Sequence, residues 1–380
     1  MIHVLDALVA KPGRLDELRD LLLRGYLPGA QARGMRLLSQ WIAPSVGSGA
    51  QSGEWILLWG IADIAAWWSM RAQASLDPQV ESVWREADAC LERRTRRMLA
   101  PGGDEPGEPR ARTRLGPETW WGQRATALVS LRPGSGDAAV ARLEAVAKAL
   151  PRCVPGCRRS ELGRNLPGTV NGGDYTLDLL FEDADRAMHW LDAEWSDPTA
   201  RADWDAAVAT VDAVHYAPLE GGLDAPRIAS PIKRTLFLRV EPLAPADRVL
   251  RFERELAAMP DHIPAIRNWH FARAAGPAGS QGGEAAAQRA EGERRRAPAR
   301  QGGEAAAQRA AGERSHSGHW THVWAQEFDK LDGLQIDYMV HPYHWATVDR
   351  WFDPESSERV VATELAHVFC RMPGSVLAWT

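Results

Sequence analysis

A chain of 380 residues with a formal charge of -5, 45% hydrophobic and 25% charged, has the profile of a globular protein long enough for two or three domains. It supplies no clustered basic face of the kind nucleic acid requires, and no apolar run reaches the length that spans a bilayer, so neither partner is expected. The opening Met1-Ile2-His3-Val4-Leu5-Asp6 reads as a strand rather than a leader, and the expected location is cytoplasmic.

Taken in order, Ile2 to Val9 alternates like a strand, and Leu15 to Leu27 carries apolar residues at helical spacing. Arg36 to Ile42 and Trp55 to Ile61 read as strands around the Gly- and Ser-rich turn Val46 to Gly53, and a helix from Ala62 breaks near Asp77-Pro78. The order then returns. Thr126 to Leu131 is a strand, Asp137 to Leu150 a helix, and Arg158 to Gly163 with Tyr175 to Phe181 a hairpin, before another helix and strand. It returns again as Arg234 to Val240, Ala246 to Met259, Ala265 to Ala272, His319 to Phe328, a helix from Leu334, and Leu365 to Met372.

The repeat has fixed points. Asp77-Pro78, Asp197-Pro198 and Asp353-Pro354 are followed at one spacing by Trp84, Trp204 and Val360, and each follows a Trp-rich segment. Three copies in register predict an α+β chain of three tandem ferredoxin-like β-α-β-β-α-β units at 1–101, 121–219 and 232–380, with linkers at 102–120 and 220–231. Each unit leaves one sheet face apolar, which predicts sheet packing of the dimeric α/β-barrel type. Two copies then pair within the chain, and the third pairs with a second subunit, giving a homodimer.

The third copy carries an insertion at 275–318, in which Gln281 to Arg294 recurs as Gln301 to Arg314 with only Glu291 replaced, by Ala311. Without large apolar residues it is expected to be disordered. The four cysteines, Cys90, Cys153, Cys157 and Cys370, fit neither a zinc-finger spacing nor a C-x-x-C motif and read as reduced thiols. The 17 Trp outnumber Tyr and Phe together, and their helices are expected to be core.

Acid–base capacity concentrates in the third copy. His322 lies on the sheet face opposite Thr321 and Val323, Tyr338 falls on the following helix before Pro342 interrupts it, and His341 and His344 are three apart. Imidazole and phenol over an apolar cavity are the parts for proton abstraction beside a carbonyl. Candidate catalytic residues are therefore His344, Tyr338 and His322, and candidate substrate contacts are Arg234, His341, Trp324 and Trp345.

The pattern Asp337-Tyr338-x-x-His341-Pro342-x-His344, preceded by Thr321-His322-Val323 and Ile263-Pro264-Ala265, resembles the dimeric α/β-barrel (stress-responsive A/B barrel, Dabb) family, particularly its plant polyketide-cyclase branch. The resemblance implies that Tyr338 and His344 form the catalytic pair of an intramolecular aldol closure needing neither metal nor cofactor, with His322 lining the pocket. That branch places a pocket His on its first strand, where this chain has Arg234, and a guanidinium is no proton shuttle. The first unit is loosely similar to NIPSNAP and monooxygenase-like proteins.

The expected function is that of a small-molecule enzyme or binding protein acting on an apolar, aromatic or polyketide-like compound by cofactor-free His/Tyr chemistry: cyclisation, isomerisation or lyase. One alternative is a non-catalytic, stress-related or assembly barrel, in which His341 caps the helix break and His344 packs beneath the sheet. Another is a haem-binding or cofactor-free monooxygenase, with His322 as axial ligand. No metal site is expected, because no carboxylate stands at ligand spacing from these histidines.

Overall fold

The computed structural model describes residues 1–44, 51–99, 108–275 and 320–379. The duplicated stretch at 281–314 lies outside them, as do the rest of the expected insertion apart from Ala275, His319, most of the 46–53 turn and the first part of the 102–120 linker. Two compact units are found: Met1–Pro109 with Pro245–Leu256 and Met339–Thr363, and Arg110–Ala244 with Ala257–Tyr338 and Glu364–Thr380. No helix among the described residues is long and apolar enough to cross a membrane.

The first unit holds the sheet β2-β3-β1-β4, built from β1 (Ile2–Ala10), β2 (Arg36–Ala43), β3 (Glu54–Ile61) and β4 (Leu91–Leu99). Alternation along β1 sends Ile2, Val4, Asp6, Leu8 and Ala10 inward, where the apolar ones join Trp55, Trp59, Trp67, Trp84 and Trp345 in one core. His3, Leu5, Ala7 and Val9 take the opposite, half-exposed face. Buried ion pairs tie the 349–355 stretch into this unit. Arg71 meets Asp349 at 2.7 Å and Asp353 at 3.3 Å, Arg33 meets Glu355 at 3.0 Å, and Arg96 bridges Asp6 and Glu355. Burial works against charge on Arg71, but Asp349 and Asp353 outweigh it and hold its pKa above the ordinary value.

The second unit holds two sheets. One is β6-β7-β5-β8, from β5 (Gln123–Leu131), β6 (Cys157–Arg164), β7 (Tyr175–Phe181) and β8 (Val208–Tyr216). The other is β13-β10-β12-β11-β9, from β9 (Glu220–Leu223), β10 (Ile232–Val240), β11 (Asn268–Arg273), β12 (His322–Phe328) and β13 (Val361–Arg371). Leu128, Val214 and Tyr216 of one sheet share a buried cluster with Phe237, Ala272 and Val323 of the other, so the second and third copies are the pair that meets within the chain.

The Asp-Pro repeat has a local cause. Asp77 accepts from the Gln79 N–H, Asp197 from the Thr199 and Ala200 N–H groups, and Pro78 and Pro198 take the first helical position. Asp353 accepts from the Glu355 N–H in the same way, although no helix follows.

Some expectations need correction. Glu220–Leu223, read as linker, is an edge strand pairing with β11. Gly221 and Gly222 give it no side chains to alternate, and a Cβ on Gly222 would lie 2.0 Å from the Trp269 ring. The helix expected from Leu334 holds two π-helical pieces, Gly333–Tyr338 and Tyr343–Val348, with the break at His341, before Pro342, which has no N–H to continue the ladder. In the first copy the helical stretch runs on from Leu27 to Ala32 through a π turn at Leu22–Tyr26.

Candidate functional site

Antiparallel register decides which side chains meet. β10 pairs with β12 so that Arg234 opposes Gln326, Leu236 opposes Trp324 and Leu238 opposes His322. The residues between them, Phe237 and Val323, face the neighbouring sheet, so Arg234, Gln326, Trp324 and His322 share the other face. Tyr338 lies over that face, with the Arg234 guanidinium 5.0 Å from its ring centroid, Phe328 edge-on at 5.7 Å and Met259 Sδ 3.7 Å from its hydroxyl.

Arg234 donates from Nε to His367 Nε2 at 2.7 Å and from Nη1 to Gln326 Oε1 at 2.7 Å. A guanidinium only donates, so His367 must be neutral with its proton on Nδ1. Burial is the main reason that the Arg234 pKa lies below its ordinary value, opposed by the phenol of Tyr338. Burial likewise raises Tyr338, opposed first by the Arg234 charge. The phenol is therefore a proton donor throughout the neutral range.

His322 Nδ1 lies 2.8 Å from Thr321 Oγ1, whose own proton goes to the Leu238 carbonyl. The imidazole must then supply the proton from Nδ1, and its ring stacks on Phe271 at 5.7 Å.

The boundary between the two compact units falls inside the motif, between Tyr338 and Met339. His322, Arg234, Trp324 and Tyr338 belong to the second unit; His341, His344 and Trp345 belong to the first. Within that first unit His341 Nδ1 accepts from the Tyr343 N–H and its carbonyl accepts from the His344 N–H, so it closes the helix break. The His344 ring lies 4.9 Å from Trp68, and Trp345 donates to the Val340 carbonyl from within the core.

Sequence reasoning missed Gln326 and His367. Gln326 was legible, because two-residue periodicity puts it on the face of His322 and Trp324. His367 was not, since only the placement of β13 beside β10 brings it to Arg234.

A second polar cluster lies between the sheets of this unit. Lys233 Nζ meets both oxygens of Asp178 at 2.5 and 2.6 Å, and Thr126 donates to Asp178 at 2.8 Å. Burial opposes charge on Lys233, yet Asp178 outweighs it and raises the pKa. Arg124 donates to the carbonyls of Val376, Leu377 and Trp379, while Glu327 accepts from the N–H groups of Val376 and Leu377, so the two charges clasp the C-terminal segment. His270 is fully buried beside Trp120, and burial first, then Arg124 and Lys233, push its pKa well below the ordinary value. The partners of Asp178, Lys233 and Thr126, come from other strands.

All four cysteines are buried free thiols. No group of three or more His, Cys, Asp or Glu among the described residues is arranged to hold a metal ion.

No protein-family model and no curated protein matches the chain. Solved structures do. An uncharacterized NIPSNAP domain protein from Burkholderia xenovorans is 18% identical over 28% of this chain and 99% of its own, with a TM-score of 0.24. A dimeric protein of unknown function and ferredoxin-like fold from Bacteroides fragilis is 18% identical over 25% of this chain and 94% of its own, with a TM-score of 0.21. An anthrone oxidase-like protein is 10% identical over 68% of this chain and 94% of its own, with a TM-score of 0.41.

Proposed function

We propose that this chain is a cofactor-free, small-molecule enzyme or binding protein of the dimeric α/β-barrel (Dabb) type, working at the helix-covered face of the third sheet on an apolar aromatic or polyketide-like compound. The observation that supports this most is the buried Tyr338 phenol set against the Arg234 guanidinium at 5.0 Å. A proton donor and a fixed positive charge together stabilise an oxyanion as it forms. His322, held through Nδ1 by Thr321, is the base on the same face. The reaction is proton abstraction beside a carbonyl, leading to cyclisation, isomerisation or lyase cleavage, with negative charge gathering on the carbonyl oxygen near Tyr338 and Arg234. His344, the base implied by the resemblance, is tested by its own variant, and His341, Trp324 and Trp345 remain candidate contacts.

The test is exchange of α-protons into deuterated water, followed by NMR on a panel of aryl methyl ketones and aryl β-diketones. The wild-type chain accelerates exchange for at least one compound. Tyr338→Phe, His322→Asn and His344→Ala each slow it by roughly a hundredfold or more without loss of fold. No acceleration by wild type, or exchange at the wild-type rate in all three variants, would overturn the acid–base reading.

A second reading, a non-catalytic assembly barrel, is favoured by one observation: the first sheet leaves Leu5, Ala7, Val9, Ile56 and Leu58 half-exposed and Trp41 51% exposed on its outer face. In the second unit the corresponding faces are buried against each other. The partner proposed for the first sheet is the same sheet of a second copy.

A further inference from the structure

The first unit carries a groove that the acid–base reading does not use. Glu81, Trp84, Arg85 and Asp88 recur at the spacing of one helical face along the helix Pro78–Cys90, which runs straight into β4. That face forms one wall. The first residues of β4, Arg248 and the 354–359 stretch form the others, around a space of about 540 Å³, and all of them belong to the first unit. The charges do not balance, for five guanidiniums line the groove against three carboxylates. Asp88 is taken up by Arg94 at 2.6 and 3.2 Å, Glu81 by Arg85 at 3.2 Å and Arg359 at 4.0 Å, and Glu92 by the Ser52 hydroxyl at 2.7 Å. Arg248 donates to the Ser357 carbonyl at 2.6 Å and pairs with no carboxylate among the described residues, and Arg93 has no partner among them.

Two buried donors on the same walls add to this. Ser356 is 7% exposed; its Oγ accepts from the Glu358 N–H at 3.1 Å, and no acceptor among the described residues takes its own proton. Trp84 is 2% exposed, and its indole N–H has no acceptor among the described residues. A buried donor left unmatched is costly, and here every carboxylate of the groove is already engaged. Two guanidiniums, a hydroxyl and an indole N–H around one space call for an acceptor that carries negative charge. We propose that this groove binds the phosphate of a small, soluble phosphomonoester.

Three features set the class. The surplus of two positive charges matches a phosphate dianion. The unspent donors come from four separate stretches of chain, at Trp84, Arg93, Arg248 and Ser356, which suits a group with three acceptor oxygens better than a planar carboxylate with two. The space is larger than the anion fills, so a body comes with it, and the walls describe that body. Trp84 is the one aromatic residue lining the groove, and the Arg94 guanidinium already lies 4.4 Å over its ring, so no ring face is left for a nucleobase. Glu81, Asp88 and Ser357 are acceptors suited to a hydroxylated body such as a sugar or polyol.

Calorimetry on the full chain tests this with glucose 6-phosphate, glycerol 3-phosphate, the parent glucose and glycerol, and AMP. Wild type binds at least one of the two polyol phosphates, neither parent alcohol, and AMP more weakly than the ester it prefers. Arg93→Gln and Arg248→Gln, each with unchanged circular dichroism, weaken that ester about tenfold or more. Glu81→Gln removes a negative charge from the same wall and binds the ester as tightly as wild type or more tightly, so loss of charge and loss of fold give different signs. Failure of both esters to bind at millimolar concentration, wild-type affinity in either arginine variant, or AMP bound more tightly than either ester would overturn the proposal. So would a Glu81→Gln loss as large as the arginine losses, or capture of phosphatidic acid vesicles with both soluble esters unbound. The acid–base function stands or falls separately, on proton exchange by the second unit's Tyr338 and His322.

Discussion

Lys233 of β10 places its Nζ 2.5 and 2.6 Å from the two carboxylate oxygens of Asp178 on β7, joining the sheets of the second and third copies through a buried ion pair. Thr126 adds a hydrogen bond to the same carboxylate at 2.8 Å and contacts Tyr216 at 3.1 Å. Where the apolar inter-sheet contacts tolerate shift, this pair fixes which strand faces which. In that sense a polar pair sets the alignment, and the hydrophobic cluster around Phe237 and Val214 supplies the adhesion.

Removing one partner alone strands the other charge. Lys233→Met and Asp178→Leu are each expected to lower the unfolding free energy by about 3–5 kcal/mol. The double variant, apolar on both sides, is expected to recover most of that loss. Urea unfolding of the four proteins in the cycle measures the coupling, and strictly additive losses would show that the two residues act independently.

His270 makes the second unit acid-sensitive. Its folded pKa is lowered, first by burial and then by Arg124 and Lys233, whereas the unfolded chain protonates near the ordinary 6.5. Between those values the unfolded state holds the extra proton, so stability is full above about 6.5 and falls as pH drops below it, by up to about 1.4 kcal/mol per unit. His270→Phe removes this part. Melting temperatures of the two proteins between pH 8 and 5 should diverge below 6.5, and parallel curves would refute the assignment.

The outer face of the first sheet should drive self-association. Leu58→Asp, in the middle strand, and Trp41→Lys, at the exposed edge, are expected to convert a dimer into a monomer with unchanged circular dichroism. Analytical ultracentrifugation decides it, and a wild-type monomer at micromolar concentration would dispose of this interface.

Much of the fold was legible. Two-residue alternation in Ile2–Val9 and the apolar spacing of Asp137–Leu150 are local signals that one-sided burial imposes, and they put that strand and that helix where they stand. The Asp-Pro repeat was legible for a different reason: it is a capping motif, complete within four residues, so its meaning does not depend on the rest of the chain. Edge strand Glu220–Leu223 escaped because its two glycines pack through the absence of side chains.

For the site, the sequence by itself determined the face. Periodicity placed His322 and Trp324 together, and Pro342 marked the break that His341 closes. Tertiary structure alone decided the partners. It brought His367 to Arg234 and Lys233 to Asp178, and it put Tyr338 and His344 on opposite sides of a unit boundary. The physical reason is range: alternation and capping act over a few residues and leave their mark in the local order. A buried charge, by contrast, is satisfied or left wanting by whatever distant strand happens to arrive beside it. Arg234 is the clearest case, since nothing in its neighbourhood along the chain shows that it would be buried without an acid.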